Sequence, residues 1–288
     1  MSNIKNAFKN GKALIPFITC GDPDLETTGK IVRAMAANGA DLIELGIPFS
    51  DPTAEGPVIQ AANLRALNGG VTTDRIFDFV RELRKDVKIP MVFMTYANVV
   101  FSYGYEQSEE LKRENETLRA DGTLKRAGAV QYSGSEKFIE TCAKIGIDGL
   151  ILPDLPFEEK GEFADICHKY GVELISLIAP TSENRIAMIA KEAEGFIYVV
   201  SSLGVTGTRT EIKSDIGAIT AVIRENTDIP CAVGFGISDP ETAGRMAALS
   251  DGAIVGSAIV KIAEKYGKDA AEPIGRFVAE LKAGIGEE

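Results

Sequence analysis

The stretch ALIPFITCGDPDLETTGKIVRAMAANGADLIELGIPF (residues 13–49) contains one complete strand–helix–strand unit. Two short apolar runs, ALIPFIT (13–19) and LIELGIPF (42–49), flank LETTGKIVRAMAANGA (25–40), which has the apolar periodicity of an amphipathic helix. Because a helical crossover joins parallel strands, this unit predicts two neighbouring parallel strands with a right-handed connection.

The same alternation continues to the end of the chain. Six further apolar runs predict strands: PMVFMTY (90–96), GLILPD (149–154), ELISLIAP (173–180), GFIYVVSS (195–202), CAVGFGI (231–237) and GAIVGS (252–257). Eight units of nearly equal length, with no break in composition, favour a closed (β/α)8 barrel over the alternative, an open doubly wound sheet. We predict a single α/β domain over residues 1–288, because such barrels need about 250 residues.

Composition narrows the possible function classes. The formal net charge of −11 argues against nonspecific binding to nucleic acid or to an anionic membrane surface. There is no run of about 18 apolar residues that would predict a membrane span. The four cysteines show no CxxC spacing, and the first residues lack the apolar core of a signal peptide. We therefore predict a cytoplasmic protein with free thiols.

One segment interrupts the alternation. Residues 105–134, YEQSEELKRENETLRADGTLKRAGAVQYSG, follow the third predicted strand, and residues 105–131 carry six acids and five bases. Their low apolar content predicts a partly helical excursion on the surface, at the end of the barrel that usually carries active sites. Removing the segment would join FSYG to SEKF and restore an ordinary strand–helix connection.

Glycine-containing turns follow the last three predicted strands, at GVTGTR (204–209), GFGIS (234–238) and VGS (255–257). Glycine lets backbone N–H groups approach an anion, and the corresponding loops of such barrels often bind phosphate. One such turn alone would indicate only an ordinary connection. Three on adjacent loops predict a phosphate site.

Glu44 lies inside an apolar strand. Period-two alternation places it on the face opposite Ile43 and Leu45, which we predict to be the barrel lumen. Ionising a carboxyl there is costly, so its pKa should rise toward the range of a general acid–base catalyst. The alternative, a structural salt bridge, would need a buried base, and no obvious basic residue lies within a predicted strand.

Other polar residues give weaker signals. Glu55 is a loop acid that composition alone would leave as a solvated charge or a helix cap, and Asp154 ends the fourth predicted strand. Tyr96 and Tyr198 could supply hydroxyls. With one histidine, a histidine-clustered metal site is excluded, and no lysine ends a strand to form a Schiff base. We predict acid–base chemistry without metal or cofactor, on a substrate that supplies its own electron sink.

These motifs occur together in one known family. The motifs are ELGIPFSDPTAEGPVIQ (44–60), FITCGDP (17–23), MTYAN (94–98), LPDLP (152–156), GVTGTR (204–209), GFGIS (234–238) and VGSAIV (255–260). Together they resemble the tryptophan synthase alpha subunit along essentially the whole chain except residues 105–134. The resemblance implies a barrel lyase that cleaves indole-3-glycerol phosphate to indole and glyceraldehyde 3-phosphate, a step of tryptophan biosynthesis.

The resemblance also implies roles for individual residues. Glu44 corresponds to the acid–base catalyst at C3 of the indole. Glu55 corresponds to a second acid at the indole N–H, where many members have aspartate. Tyr198 corresponds to an active-site tyrosine, and Thr206 to a mobile loop that contacts the second acid. The remaining positions are Phe17, Ile59, Tyr96 and Phe235 around the indole and glycerol moieties, and Gly207, Gly236, Gly256 and Ser257 at the phosphate.

A partner follows from the same resemblance. Family members dock on a pyridoxal-phosphate beta subunit in a heterotetramer, and indole passes between the subunits through a tunnel. The loops after the second and third strands help to form that contact, so the excursion at 105–134 bears directly on docking. Two alternative functions stay open. The chain could be another phosphate-binding barrel isomerase or synthase, or an allosteric or scaffolding subunit with residual lyase activity.

Overall fold

The computed structural model describes residues 3–104, 134–200, 215–234 and 236–286. Its strands are β1 (Ala13–Thr19), β2 (Ile43–Gly46), β3 (Met91–Met94), β4 (Gly149–Ile151), β5 (Glu173–Leu174), β6 (Ser176–Ile178), β7 (Ile197–Val200), β8 (Cys231–Gly234) and β9 (Gly252–Val255). Its helices are α1 (Leu25–Ala37), α2 (Pro57–Asn68), α3 (Thr73–Leu83), α4 (Ala97–Ser102), α5 (Gly134–Ile145), α6 (Gly161–Tyr170), α7 (Glu183–Lys191), α8 (Ile216–Asn226), α9 (Pro240–Leu249), α10 (Ser257–Tyr266) and α11 (Ala271–Gly286). No helix among these ranges is long and apolar enough to cross a membrane.

The strands form a closed parallel barrel. β1 pairs with β2 on one side and with β9 on the other, and pairing continues around the sheet to β5 in one direction and β6 in the other. β5 and β6 are two halves of the fifth predicted strand, separated by Ile175, whose backbone N–H donates to the Leu150 carbonyl at 2.9 Å. β5 pairs with β4 and β6 pairs with β7, so this one strand closes the ring. The prediction of a (β/α)8 barrel is confirmed.

Most predicted strands extend too far at their carboxyl ends. The second predicted strand, 42–49, shortens to Ile43–Gly46, because residues 47–49 are no longer part of the sheet. The first predicted helix, 25–40, shortens at its end to Leu25–Ala37. Asp24 caps its start by accepting a hydrogen bond from the Thr27 backbone N–H at 2.7 Å.

The amino end of the barrel is closed by a buried ion pair. Asp148, 6% exposed, pairs with Arg84 and accepts hydrogen bonds from the backbone N–H groups of Asn3, at 2.9 Å, and Met91, at 3.0 Å. Ile4 is fully buried below the strands, within reach of Gly149 and close to the Glu173 carboxylate. Described side chains therefore fill this end of the lumen.

The predicted excursion at 105–134 falls almost entirely outside the described residues. Only Gly134 is described, and it is the first residue of α5 rather than the last residue of a loop. A Cβ at Gly134 would lie 2.0 Å from the carbonyl oxygen of Phe101 in α4. The described residues on either side of 105–133 therefore lie close together on the barrel.

Candidate active site

Glu44 occupies the lumen from β2. Its side chain is 1% exposed, and neither carboxylate oxygen has a hydrogen-bond partner in the described part of the chain. Burial, together with the charge of Glu55, raises the pKa of Glu44 to about 8. The alternative, a structural salt bridge, is not found, because no basic side chain among the described residues pairs with Glu44. A carboxyl with this pKa holds its proton at neutral pH and can deliver it to a substrate.

Glu55 lies in the connection between β2 and α2 and is only 6% exposed, so it is not a solvated loop charge. The Asn63 side-chain amide donates a hydrogen bond to Glu55 Oε2 at 2.7 Å. Burial raises the pKa of Glu55 to about 7, and the Asn63 hydrogen bond acts in the opposite direction. The Gln60 amide holds the Glu55 backbone by donating to its carbonyl oxygen at 2.7 Å.

Asn63 was not singled out from the sequence. It is 3% exposed and lies one helical turn after Ile59, which is 4% exposed, on the same face of α2. Its position as a polar residue on an otherwise apolar helix face could have identified it from the sequence. The structure thus assigns Asn63 to the carboxyl end of the barrel, as the partner of Glu55.

Tyr96 fixes the loop that carries Glu55. Its hydroxyl accepts a hydrogen bond from the Ala54 backbone N–H at 3.1 Å, next to Glu55 in the chain. Burial and the Glu55 charge raise the pKa of Tyr96. Asp154, which the sequence placed at the rim, accepts from the Ala97 backbone N–H at 3.0 Å, at the start of α4. Asp154 therefore caps a helix.

Tyr198 approaches Glu44 from β7. Its side chain is 9% exposed, and both burial and the Glu44 charge raise its pKa well above the ordinary value. Its hydroxyl lies over Gly234, where a Cβ would come within 2.5 Å of it. Tyr198 thus presents a protonated hydroxyl on the lumen side of the barrel, opposite β2.

Phe17 of β1 faces the lumen next to Glu44. Its position pairs with Glu44 in the β1–β2 register. A Cβ on Gly46 would lie 2.6 Å from the Phe17 ring, and a Cβ on Gly256 would lie 3.5 Å from the Phe17 Cβ. Glycine at position 46 therefore makes room for the ring.

The predicted phosphate-binding residues are only partly described. Gly256 is the N-cap of α10, no side chain caps the helix, and Ser257 is its first residue. Gly236 has a φ of +82°, a conformation that favours glycine. Three predicted site residues lie outside the described ranges: Thr206, Gly207 and Phe235.

A cavity of about 560 Å³ extends outward from the lumen to α6 and α7, and of the described predicted site residues Tyr198 alone lines it. Its inner end is lined by Ala54, Met94, Leu152, Leu177 and Tyr198. This volume falls in the range of roughly 300–1,000 Å³ that holds small organic ligands. The apolar inner wall suits a planar aromatic ring, but neither Glu44 nor Glu55 lines this cavity.

Comparison with known proteins identifies the family. The family model described as tryptophan synthase alpha chain matches residues 2–284. The tryptophan synthase alpha chain of Lacticaseibacillus casei is 45% identical over 285 residues, covering 99% of this chain and 96% of that one. The protein of the same name from Geotalea uraniireducens is 43% identical over 292 residues, covering 99% and 98%.

Solved structures agree with these sequence relatives. Tryptophan synthase subunit alpha from Campylobacter jejuni superposes with a TM-score of 0.75 at 31% identity, covering 95% of this chain and 97% of that one. A chain of a tryptophan synthase complex from Pyrococcus furiosus gives a TM-score of 0.75 at 30% identity, covering 95% and 98%. The alternative of a different phosphate-binding barrel is therefore excluded. The chain belongs to the tryptophan synthase alpha chain family, whose lyase reaction cleaves indole-3-glycerol phosphate to indole and glyceraldehyde 3-phosphate in tryptophan biosynthesis.

Proposed function

We propose that Glu44 is the acid–base catalyst of this reaction and that Glu55 stabilises the positive charge that develops on the substrate. The observation that carries the proposal is the pair of buried carboxyls. Glu44, without a hydrogen-bond partner among the described residues, has a pKa of about 8, and Glu55, held by Asn63, has a pKa of about 7. Two carboxyls that influence each other titrate as a pair, and their environments decide which one keeps the proton.

The chemistry follows from these protonation states. Protonated Glu44 delivers its proton to C3 of the indole, which turns the ring into an indolenine with a C=N⁺ bond. The bond from C3 to the side chain then breaks, and its electron pair flows into the ring and neutralises the nitrogen. The hydroxyl on the departing carbon loses its proton to Glu44 and becomes the aldehyde of glyceraldehyde 3-phosphate. Glu44 is therefore protonated again at the end of the reaction, as it was at the start.

Ionised Glu55 stabilises the positive charge that develops at the indole nitrogen. A fixed carboxylate in a buried site does this more effectively than one in water. The Asn63 amide keeps Glu55 oriented, and Tyr96 fixes the preceding residue. Tyr198 faces Glu44 across the lumen, and we assign Phe17 and Ile59 to the indole and glycerol parts of the substrate.

We assign the phosphate to Gly236, Gly256 and Ser257; Gly207 and Thr206, which the motif also assigns to the substrate, lie outside the described residues. The backbone N–H groups that begin α10 follow an N-cap glycine and lack a side-chain cap. Such a helix terminus attracts an anion.

Gly256→Ala is expected to raise the KM for indole-3-glycerol phosphate about tenfold, since a methyl group would obstruct the approach of phosphate to the backbone. The protein itself tolerates the methyl group, because the nearest atom, the Phe17 Cβ, lies at 3.5 Å. Steady-state kinetics measure the effect. Gly161→Ala is the matched control, because a Cβ there meets nothing within 4 Å. An unchanged KM for Gly256→Ala would move the phosphate elsewhere.

The family partners with a beta subunit, and one similar structure is that of a tryptophan synthase complex. For this chain we propose a heterotetramer in the cytoplasm, with docking through the loops after β2 and β3 and residues 105–133 forming an excursion at the docking face. The closeness of Phe101 and Gly134 supports the excursion. The four cysteines are buried and free, which fits a reducing compartment.

Indole release tests activity and partner together. We expect the chain alone to release indole from indole-3-glycerol phosphate and a beta subunit to increase the rate. Removing residues 105–133 should leave the rate of the isolated chain within about threefold, because a loop costs the fold little. The affinity for the beta subunit, measured by titration calorimetry, should change more. No release by the isolated chain would favour the scaffolding alternative, and equal affinities would place the excursion away from the interface.

A further inference from the structure

Thr19 is one of three residues in the described part of the chain whose buried hydroxyl has no hydrogen-bond partner, with Thr95 and Ser135. Thr19, the last residue of β1, is fully buried, and its Oγ1 has no hydrogen-bond partner there. A buried hydroxyl without a partner destabilises a fold, so such a group in a native protein calls for an explanation.

The strand register gives the direction of this hydroxyl. Phe17 pairs with Glu44, and Thr19 pairs with Gly46. Side chains two residues apart on a strand share a face, so Thr19 faces the lumen with Phe17 and Glu44. Gly46 opposite offers no side chain to Thr19. Glu44 and Thr19 do not form a hydrogen bond with each other either, since neither side chain has a partner within the described ranges.

The position of β1 in the barrel suggests what the hydroxyl meets. β1 lies between β2, which carries Glu44, and β9, which leads into the phosphate-binding turn at Gly256. A substrate with its phosphate at α10 and its indole C3 at Glu44 must lay the connecting glycerol chain across β1. Thr19 is thus the lumen-facing polar group on the strand that this chain crosses.

We propose that Thr19 Oγ1 hydrogen-bonds to a glycerol hydroxyl of indole-3-glycerol phosphate and is a further substrate-binding residue. The inference rests on the proposed function. It assigns the unpaired hydroxyl a partner of matching chemistry, since an alcohol group both donates and accepts. Recognition of a hydroxyl in a buried site also discriminates against ligands that lack it, because the site is then left unpaired.

The test compares two ligands. Thr19→Val replaces the hydroxyl by a methyl group, and Thr19→Ser keeps the hydroxyl. Thr19→Val should lower kcat/KM for indole-3-glycerol phosphate about tenfold, the loss expected for one buried hydrogen bond. Thr19→Ser should stay within about threefold of wild type. The inhibition constant of indole-3-propanol phosphate, which has no glycerol hydroxyls, should be the same in all three proteins.

Thr95→Val is the matched control. Thr95 also has a buried hydroxyl without a partner in the described ranges. It follows Met94, which pairs with lumen-facing Gly46, so Thr95 points to the opposite face. Its substitution should leave the ratio between the two ligands unchanged.

Three results would overturn the inference: equal losses for both ligands in Thr19→Val, a Thr19→Ser variant as impaired as Thr19→Val, or a shift of the basic limb of the pH profile, which would mean that Thr19 acts through Glu44. Failure of the proposed function is separate, because it would appear as absent indole release by the wild-type chain.

Discussion

Glu44→Gln is expected to lower kcat for indole release by about 10²–10⁴-fold, the usual contribution of a general acid–base group. Glutamine keeps the shape of the side chain but can neither deliver a proton to C3 nor take one from the glycerol hydroxyl. The fold and phosphate binding should be retained. The measurement is single-turnover indole release at saturating substrate, with circular dichroism to verify folding.

Glu173→Gln is the matched control for this substitution. Glu173 is also a glutamate on a barrel strand, but its carboxylate lies by Gly195 and Ile4, at the closed end of the barrel. Indole release by that variant should be close to wild type. If Glu44→Gln kept more than about a tenth of wild-type turnover, Glu44 would have no part in the proton transfers.

The stability of Glu44→Gln provides a second readout. Unfolding returns the pKa of Glu44 from about 8 toward its ordinary value of 4.5. The folded protein therefore binds this proton more tightly between the two values, and its stability falls as the pH rises through that window. Glutamine removes the cost of the buried charge. The free energy of unfolding of the variant minus that of wild type should therefore be larger at about pH 9 than at about pH 5. Urea unfolding at the two pH values measures this difference.

Glu55→Gln is expected to lower kcat/KM by about 10²–10³-fold, in the range found when a charge-stabilising group is removed from an active site. The amide preserves the contact with Asn63 and removes only the negative charge. Glu55→Ala should lose at least as much, because it also leaves the buried Asn63 amide unpaired. Glu55→Asp should keep part of the activity, since the carboxylate remains and only its reach is shortened.

The control for Glu55 is Asp51→Asn. Asp51 lies in the same loop but is exposed, so loss of its charge should hardly change kcat/KM. If Glu55→Gln turned over like Asp51→Asn, Glu55 would be excluded from catalysis.

The pH profile separates the roles of the two acids. Activity needs Glu55 ionised and Glu44 protonated, so kcat/KM should rise near pH 7 and fall near pH 8, as their pKa values of about 7 and about 8 require. Glu55→Gln should remove the acid limb. It should also move the basic limb to lower pH, because the charge of Glu55 no longer raises the pKa of Glu44.

The amino-acid pattern alone was enough to predict the barrel and the face of β2 on which Glu44 lies. Both follow from local periodicity: apolar runs that alternate with helical stretches specify parallel strands, and period-two alternation specifies which side chains share a face. Desolvation of Glu44 follows at once, because the inside of such a barrel is packed. The motif around Glu44 and Glu55 also sufficed to predict the family.

The pairing of the polar groups, in contrast, depends on how distant segments pack together. Glu55 could be a solvated loop acid by composition, and its burial became visible only with α2 packed on the barrel and Asn63 in contact. Asp154 sits where a catalytic acid could, yet it binds the Ala97 backbone, 57 residues away in the chain. The lack of a partner for the Thr19 hydroxyl among the described residues likewise depends on the segments packed around it. A hydrogen bond needs two groups within about 3 Å, and whether distant segments come that close depends on packing that sequence periodicity does not encode.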